Sequence, residues 1–146
     1  PFSGGDVGNA GDDVAYEDET IGLRLSYYEF GPEPCDYVDI TVYLRTNRSM
    51  PTEFGTAVLA RALRDAEGPC IVQDIEVRGY SYETGSREYD LGVSGRFASN
   101  VATILTDLGV YPELISSRGL GREGSTPGNP KTSDNRVEVR LELSNP

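Results

Sequence analysis

The side chains of this sequence that could do chemistry are arginines and carboxylates, because the chain contains no histidine. It therefore lacks the general base that enzymes use most often near neutral pH. Glu83 and Asp90 could in principle act as a carboxylate pair on a glycan, but nothing in their spacing indicates it. We predict no catalytic residue and no enzyme. Five arginines could line a carboxylate-binding cleft, or could equally be scattered and solvated: Arg87, Arg96, Arg118, Arg122 and Arg136.

Cys35 and Cys70 are the two cysteines of the chain. Neither lies in a C-x-x-C motif, and the absence of histidine argues against a zinc site or a Cys–His nucleophile. Because each cysteine flanks a predicted strand, a disulfide between them is one interpretation, and two buried free thiols are the other. A disulfide would indicate an oxidising compartment such as the periplasm. We expect no metal ion and no cofactor.

The charge of the chain is strongly negative, −11 from 13 basic and 24 acidic side chains over 146 residues. Such a field disfavours nucleic acid and anionic lipid as partners. Residues 1–19 hold six of the acids and no base, and we expect them to form an acidic flexible arm. No apolar run approaches the length of a membrane span. Since the first residue is Pro1, we expect a processed chain that a leader or tether preceded.

Hydrophobic periodicity predicts the elements that position these side chains. Period-two alternation indicates strands, and apolar residues at spacings of three to four indicate helices. Ser49 and Ser86 are the expected starts of two helices, and Gly68 and Gly109 the expected ends. Strands are expected at 21–27, 38–44, 71–80, 114–119 and 137–143, the first two as a hairpin. A strand–helix–strand order predicts a right-handed crossover and a parallel pair. Residues 20–146 would form one two-layer α/β (α+β) sandwich with helices on one side of a mixed sheet.

Four segments, in the correct order and spacing, resemble the OmpA-like (Pal/MotB-type) peptidoglycan-associated domain. Residues 75–101, IEVRGYSYETGSREYDLGVSGRFASNV, are similar to its strand, G-[HY]-[ST]-D-x-x-G loop and N-x-x-L-[SG]-x-x-R-A helix. Residues 43–51 (YLRTNRSMP), 114–121 (LISSRGLG) and 134–138 (DNRVE) resemble its opening strand and helix start, its third strand, and its closing N-R-R-V-E. The resemblance implies a β-α-β-α-β-β fold, here with an extra N-terminal strand.

The resemblance also implies a ligand site, and two of its positions carry different residue types here. Family members hold the diaminopimelate of a peptidoglycan stem peptide with an Asp for its ammonium and an Arg for its carboxylate. Tyr82 stands at the Asp position, Phe97 at the Arg position and Asp90 at the Asn position. In one account the site is degenerate, and the two rings form an apolar patch that packs internally or meets a protein. In the other, Glu83 or Asp90 takes the ammonium and Arg96 the carboxylate.

We therefore expect a non-standard or degenerate ligand site that comprises Tyr82, Glu83, Thr84, Asp90, Arg96, Phe97 and Arg136, the last also able to brace the loop before the final strand. The implied function is non-enzymatic anchoring or assembly of the bacterial cell envelope. The implied location is the periplasm, in association with the outer membrane or cell wall. Its expected partners are the peptidoglycan stem peptide or, alternatively, a protein of a secretion, motility or outer-membrane assembly complex.

Overall fold

The computed structural model describes residues 25–44, 48–81, 86–124 and 135–146. Five strands and two helices follow one another in the order β1 (Tyr27–Phe30), β2 (Tyr37–Tyr43), α1 (Glu53–Glu67), β3 (Ile71–Tyr80), α2 (Arg87–Asp107), β4 (Ile115–Gly119) and β5 (Arg136–Ser144). Short 3-10 helices span Pro112–Leu114 and Gly121–Gly124. The predicted acidic arm and residues 21–24 of the predicted first strand lie outside the described residues.

The strands form one mixed sheet in the order β1-β2-β5-β3-β4. β1 and β2 pair antiparallel, as predicted for the hairpin, but the bounds predicted for its first strand are wrong: β1 begins at Tyr27, where the predicted strand ends. β1 covers the edge that β2 would otherwise expose. β2 and β3 both run antiparallel to β5 and are therefore parallel to each other, as the crossover predicts. They do not exchange hydrogen bonds, however, because β5 lies between them. The hydrogen-bonded parallel pair is β3 with β4.

Both helices pack on one face of the sheet, which confirms the predicted two-layer sandwich. Alternate residues of β2, β3 and β5 point to this face and are buried. The helices contribute the apolar stripes that the 3.6-residue period predicts. The largest fully buried side chains are Ile40, Leu44, Leu59, Ile75, Leu105 and Leu141. No helix of the described ranges is long and apolar enough to cross a membrane.

The helix ends are set by local capping. Ser86 caps α2 as predicted, since its side chain accepts a 3.1 Å hydrogen bond from the backbone N–H of Tyr89. Gly109 follows α2 with a φ of +107°, the left-handed conformation that favours glycine. The predicted cap of α1 is wrong: the cap is Thr52 instead of Ser49, and its hydroxyl accepts a 3.1 Å hydrogen bond from Gly55.

A disulfide joins Cys35 to Cys70, so of the two interpretations of the cysteines the disulfide is confirmed. It ties the turn between β1 and β2 to the start of β3. Cys35 adopts a φ of +57°, which is unusual for a residue with a side chain. The disulfide thereby holds the turn in a conformation that the backbone alone would disfavour.

Candidate functional site

The candidate site lies where β3, β4 and α2 approach one another, at the C-terminal ends of the two strands. A Cβ atom on Gly79 would overlap the carbonyl oxygen of Ser94, and one on Gly119 would overlap the backbone nitrogen of Gly95. These glycines therefore allow the backbone of α2 to lie directly on the sheet. This close approach explains why glycine stands at positions 79 and 119.

Ser94 fastens the following turn to α2. Its buried hydroxyl donates to the carbonyl of Leu91 at 3.0 Å and accepts from the backbone N–H of Gly121 at 2.8 Å. Gly121 has a φ of +62°, and its carbonyl accepts a 2.8 Å hydrogen bond from the N–H of Ser81. The start of the loop after β3 is thus fixed by backbone contacts, whatever side chains follow it. The Ser81 hydroxyl is itself fully buried and without a hydrogen-bond partner among the residues described.

Asp90 and Arg122 form an ion pair at this position. Arg122 donates from Nε to Oδ2 of Asp90 at 2.8 Å, and its terminal nitrogen lies 2.6 Å from the same oxygen. The Asp90 side chain is 0% exposed and that of Arg122 is 27% exposed. The pair joins the first turn of α2 to the 3-10 helix Gly121–Gly124. Asp90 is therefore occupied inside the protein, which weighs against its predicted role as a ligand for an ammonium group.

Phe97 and Arg96, adjacent on α2, have opposite environments. Phe97 is 2% exposed and belongs to the hydrophobic core. Of the two uses predicted for its ring, internal packing agrees with the structure and a surface patch does not. Arg96 is exposed. The helical turn of about 100° per residue separates the two directions, as expected for neighbours. Among the described residues of the predicted site, Arg96 is thus the one on α2 whose charged group is exposed and could meet a ligand carboxylate.

Arg136 lies on the other face of the sheet, away from the helices. Its Nε donates to Oε2 of Glu138 at 2.9 Å, and its guanidinium lies 4.4 Å from the centre of the Tyr80 ring. Burial, followed by the charge of Glu138, raises the pKa of Tyr80. Since Val137 faces the core, Arg136 must face the helix-free side. This position separates Arg136 from Asp90. The loop that Arg136 was predicted to brace, before the final strand, lies outside the described residues, so that role stays a prediction.

The five arginines that could have lined one cleft do not converge. Arg118 pairs with Glu76 at 3.4 Å on the helix-free face, Arg122 pairs with Asp90, and Arg136 with Glu138. Arg87 and Arg96 are exposed on α2. Tyr82, Glu83 and Thr84 lie outside the described residues, so their part of the predicted site stays a prediction. The pairing of Asp90 with Arg122 was not predicted, although each residue is a candidate in the sequence.

The fold is that of OmpA-like domains of known structure. The OmpA-like domain of FopA1 from Francisella tularensis is similar with a TM-score of 0.66 and 17% identity, over 88% of this chain and 90% of that one. The cell wall anchor of the T6SS from Pseudomonas aeruginosa is similar with a TM-score of 0.61 and 16% identity, over 91% and 93%. The peptidoglycan-associated lipoprotein from Burkholderia pseudomallei is similar with a TM-score of 0.55 and 24% identity, over 71% and 89%.

None of these three structures is described as an enzyme. No protein-family model matches the sequence, and no curated protein matches it significantly. The resemblance therefore rests on the fold and on the short motifs that the sequence shares with this class of domain.

Proposed function

We propose that this chain is a non-enzymatic, periplasmic module that anchors or assembles part of a bacterial cell envelope, and that it associates with peptidoglycan through a non-standard site. The OmpA-like fold supports the envelope role, because two of the similar structures are described as a peptidoglycan-associated lipoprotein and a cell wall anchor. The observation that carries the non-standard site is the use of Asp90 and Phe97 for internal contacts.

The chemistry of the site supports a specific division of roles. A zwitterionic ligand needs one cationic and one anionic contact. Within the predicted site Arg96 is the exposed cation on α2, and Glu83 is the predicted anion, since Asp90 is paired with Arg122. Outer-membrane or wall association of the whole protein follows from this function and is part of the proposal.

The test is co-sedimentation of the purified protein with isolated sacculi, together with amide chemical shifts on addition of a diaminopimelate stem peptide. We expect pelleting and shifts between Ser81 and Arg96, both reduced in Arg96→Ala. Arg118→Ala is the matched control, because Arg118 is an exposed arginine on the opposite face and should change neither result. Absence of pelleting and of shifts at millimolar peptide would remove peptidoglycan from the proposal.

Restoring the family residues offers a gain-of-binding test. Tyr82→Asp with Phe97→Arg should strengthen capture if the scaffold of the pocket is intact. Because Phe97 is buried, its replacement by a charged residue will destabilise the core, so the folded fraction must be measured by circular dichroism. Tyr82→Asp alone leaves Phe97 in place and should already strengthen binding to the ligand ammonium.

The alternative function is a protein–protein interaction module of an envelope complex that does not bind peptidoglycan. The burial of Phe97 favours this alternative over ordinary wall capture, because Phe97 stands at the position that binds the ligand carboxylate in the family and is here part of the hydrophobic core. It would be preferred if sacculus binding were absent while the purified protein associated with a component of a secretion, motility or outer-membrane assembly complex. A patch formed by Phe97 itself is not available for such a contact.

A further inference from the structure

A second concave surface lies at the opposite end of the molecule from the candidate ligand site. It is a cavity of about 340 Å³ at the start of β3 and beside the C-terminal ends of both helices, lined by Cys70, Ile71, Val72, Val110, Tyr111 and Leu114. Since β3 spans ten residues, roughly 30 Å separate the two ends of the sheet. Ile71, Leu108 and Tyr111 are exposed by 45%, 40% and 71% around this region.

Three carboxylates, called here the acidic rim, belong to the cavity or to its neighbourhood along the chain: one is among the lining residues, and two stand within two positions of lining residues. Glu67 lines the cavity and is the last residue of α1, and Asp107 is the last residue of α2. A helix C-terminus carries partial negative charge and favours cations, so both carboxylates stand at unfavourable ends. Glu113, exposed beside Leu114, adds a third carboxylate. None of the three forms an ion pair within the described ranges. The last turn of α1 contains one basic residue, Arg64, and the last turn of α2 contains no basic residue.

The electrostatics select among possible occupants of the cavity. Residues 1–20 of the chain contain six acidic and no basic side chains, and a second copy carries the same net charge of −11. Either would bring negative charge to an already negative rim. A cationic partner would relieve the two unfavourable helix ends as well as fill the apolar cavity. The volume lies within the range of about 300–1,000 Å³ that small binding clefts occupy.

We propose that this cavity is a docking site for a basic, amphipathic protein segment, which places one bulky apolar side chain among Cys70, Val110 and Tyr111 and directs flanking Lys or Arg residues to Glu67, Asp107 and Glu113. The inference goes beyond wall binding, because it concerns the other end of the molecule and a protein ligand. The chain would then connect two components, one at each end of the sheet.

The test uses isotope-labelled protein and three matched synthetic peptides. The first carries a Phe-Leu pair between lysines, the second has glutamates in place of the lysines, and the third has serines in place of the Phe-Leu pair. We expect saturable amide shifts at Cys70, Val110 and Tyr111 with the first peptide, weakened by added salt. The other two peptides should bind at least about tenfold more weakly, a factor that corresponds to 1.4 kcal/mol.

Variants of the protein separate this docking site from a general charge effect. Glu67→Lys, which reverses the charge that lines the cavity, should weaken the first peptide about tenfold. Glu88→Lys is the matched control, because Glu88 is exposed in the first turn of α2, at the other end of that helix, and should change the affinity less than about twofold. Val72→Phe, which fills the cavity, should weaken binding while the charges remain.

Four results would overturn the proposal: no saturation at millimolar concentrations of the first peptide, equal binding of the acidic or serine peptide, equal weakening by Glu88→Lys, or shifts confined to Ser81–Arg96. The wall-binding experiment does not bear on it, since sacculi are absent from this assay. Failure of sacculus binding with success here would leave a protein-docking module, and the reverse would leave a wall-binding module alone.

Discussion

Removal of one partner of the Asp90–Arg122 ion pair should have different effects depending on which partner is removed. Arg122→Met takes away the cation and leaves the carboxylate of Asp90 in a place where its side chain is 0% exposed. Asp90→Asn takes away the anion and leaves a guanidinium that is 27% exposed and can turn towards water. The loss of free energy of unfolding should therefore be larger for the arginine variant.

The magnitudes follow from the burial of each group. Removal of one partner from a buried ion pair destabilises a protein by about 3–5 kcal/mol, and because Asp90 keeps a further interaction in the fold, Arg122→Met lies near the lower bound, about 3 kcal/mol. Asp90→Asn loses about 1.5 kcal/mol from the charged hydrogen bond. It loses about 0.5 kcal/mol more because a negative charge in the first turn of a helix is favourable. The expected ratio of the two losses is thus about 3 to 2.

Urea denaturation of the two single variants and the double variant measures these losses. The double variant should lose less than the sum of the single variants, because no buried charge is left unpaired. Arg118→Met is the matched control: its partner Glu76 is 3.4 Å away and its side chain is 63% exposed, so the loss should stay below about 0.5 kcal/mol. Equal losses for both single variants, or losses no larger than that of Arg118→Met, would refute the reasoning.

Three further predictions concern packing, titration and the covalent link. Gly79→Ala should lower the free energy of unfolding by about 3 kcal/mol, because its Cβ would overlap Ser94. Gly92→Ala has open space around the new Cβ and should raise the free energy of unfolding by up to about 1 kcal/mol. Thermal denaturation of both variants checks the two signs. Burial and a 2.6 Å hydrogen bond to Asp65 raise the pKa of Tyr28 to about 12, so ultraviolet titration should show a late ionisation of Tyr28. This step should move to lower pH in Asp65→Asn, whereas the raised pKa of Tyr80 should not change. Because the pKa of Tyr28 lies above the unfolded value of 10.0, its contribution to stability is complete below pH 10 and disappears as the pH rises through about 12. Replacement of both cysteines by serine should destabilise the protein by about 4 kcal/mol in the chain-entropy estimate for a separation of 35 residues, and a loss below 1 kcal/mol in denaturant would contradict it.

The features that the sequence predicts well are those set by neighbouring residues. The alternation of Val38, Ile40 and Val42 with polar residues gives the buried face of β2 directly. Ser86 and Gly109 mark the ends of α2 because capping involves residues within one turn. The prediction of Ser49 as the cap of α1 was wrong for an equally local reason: Thr52, three positions later, is also a capping residue, and its side chain accepts the hydrogen bond from the N–H of Gly55.

The features that the sequence did not predict depend on contacts between distant segments. Asp90 and Arg122 are 32 positions apart, and their pairing requires the turn after β4 to cross the first turn of α2. Period-two and 3.6-residue patterns also do not show that β5 separates β2 from β3, because strand order depends on long-range pairing. The position of Phe97 could be inferred more readily, since it shares the stripe of Val93 and Val101, both buried.

The position of Phe97 connects the fold to the question of the ligand. Phe97 continues the core stripe of α2, and the buried Asp90–Arg122 pair joins this helix to the turn after β4. Both side chains of α2 therefore make internal contacts at that end of the molecule. At the opposite end, local interactions are unfavourable: Glu67 and Asp107 stand at helix C-termini, and apolar residues are exposed around a cavity. Within the described residues neither carboxylate forms an ion pair that would offset this loss of stability. Because unfavourable local interactions concentrate where proteins bind, recognition by this chain should be shifted towards the end that carries the disulfide.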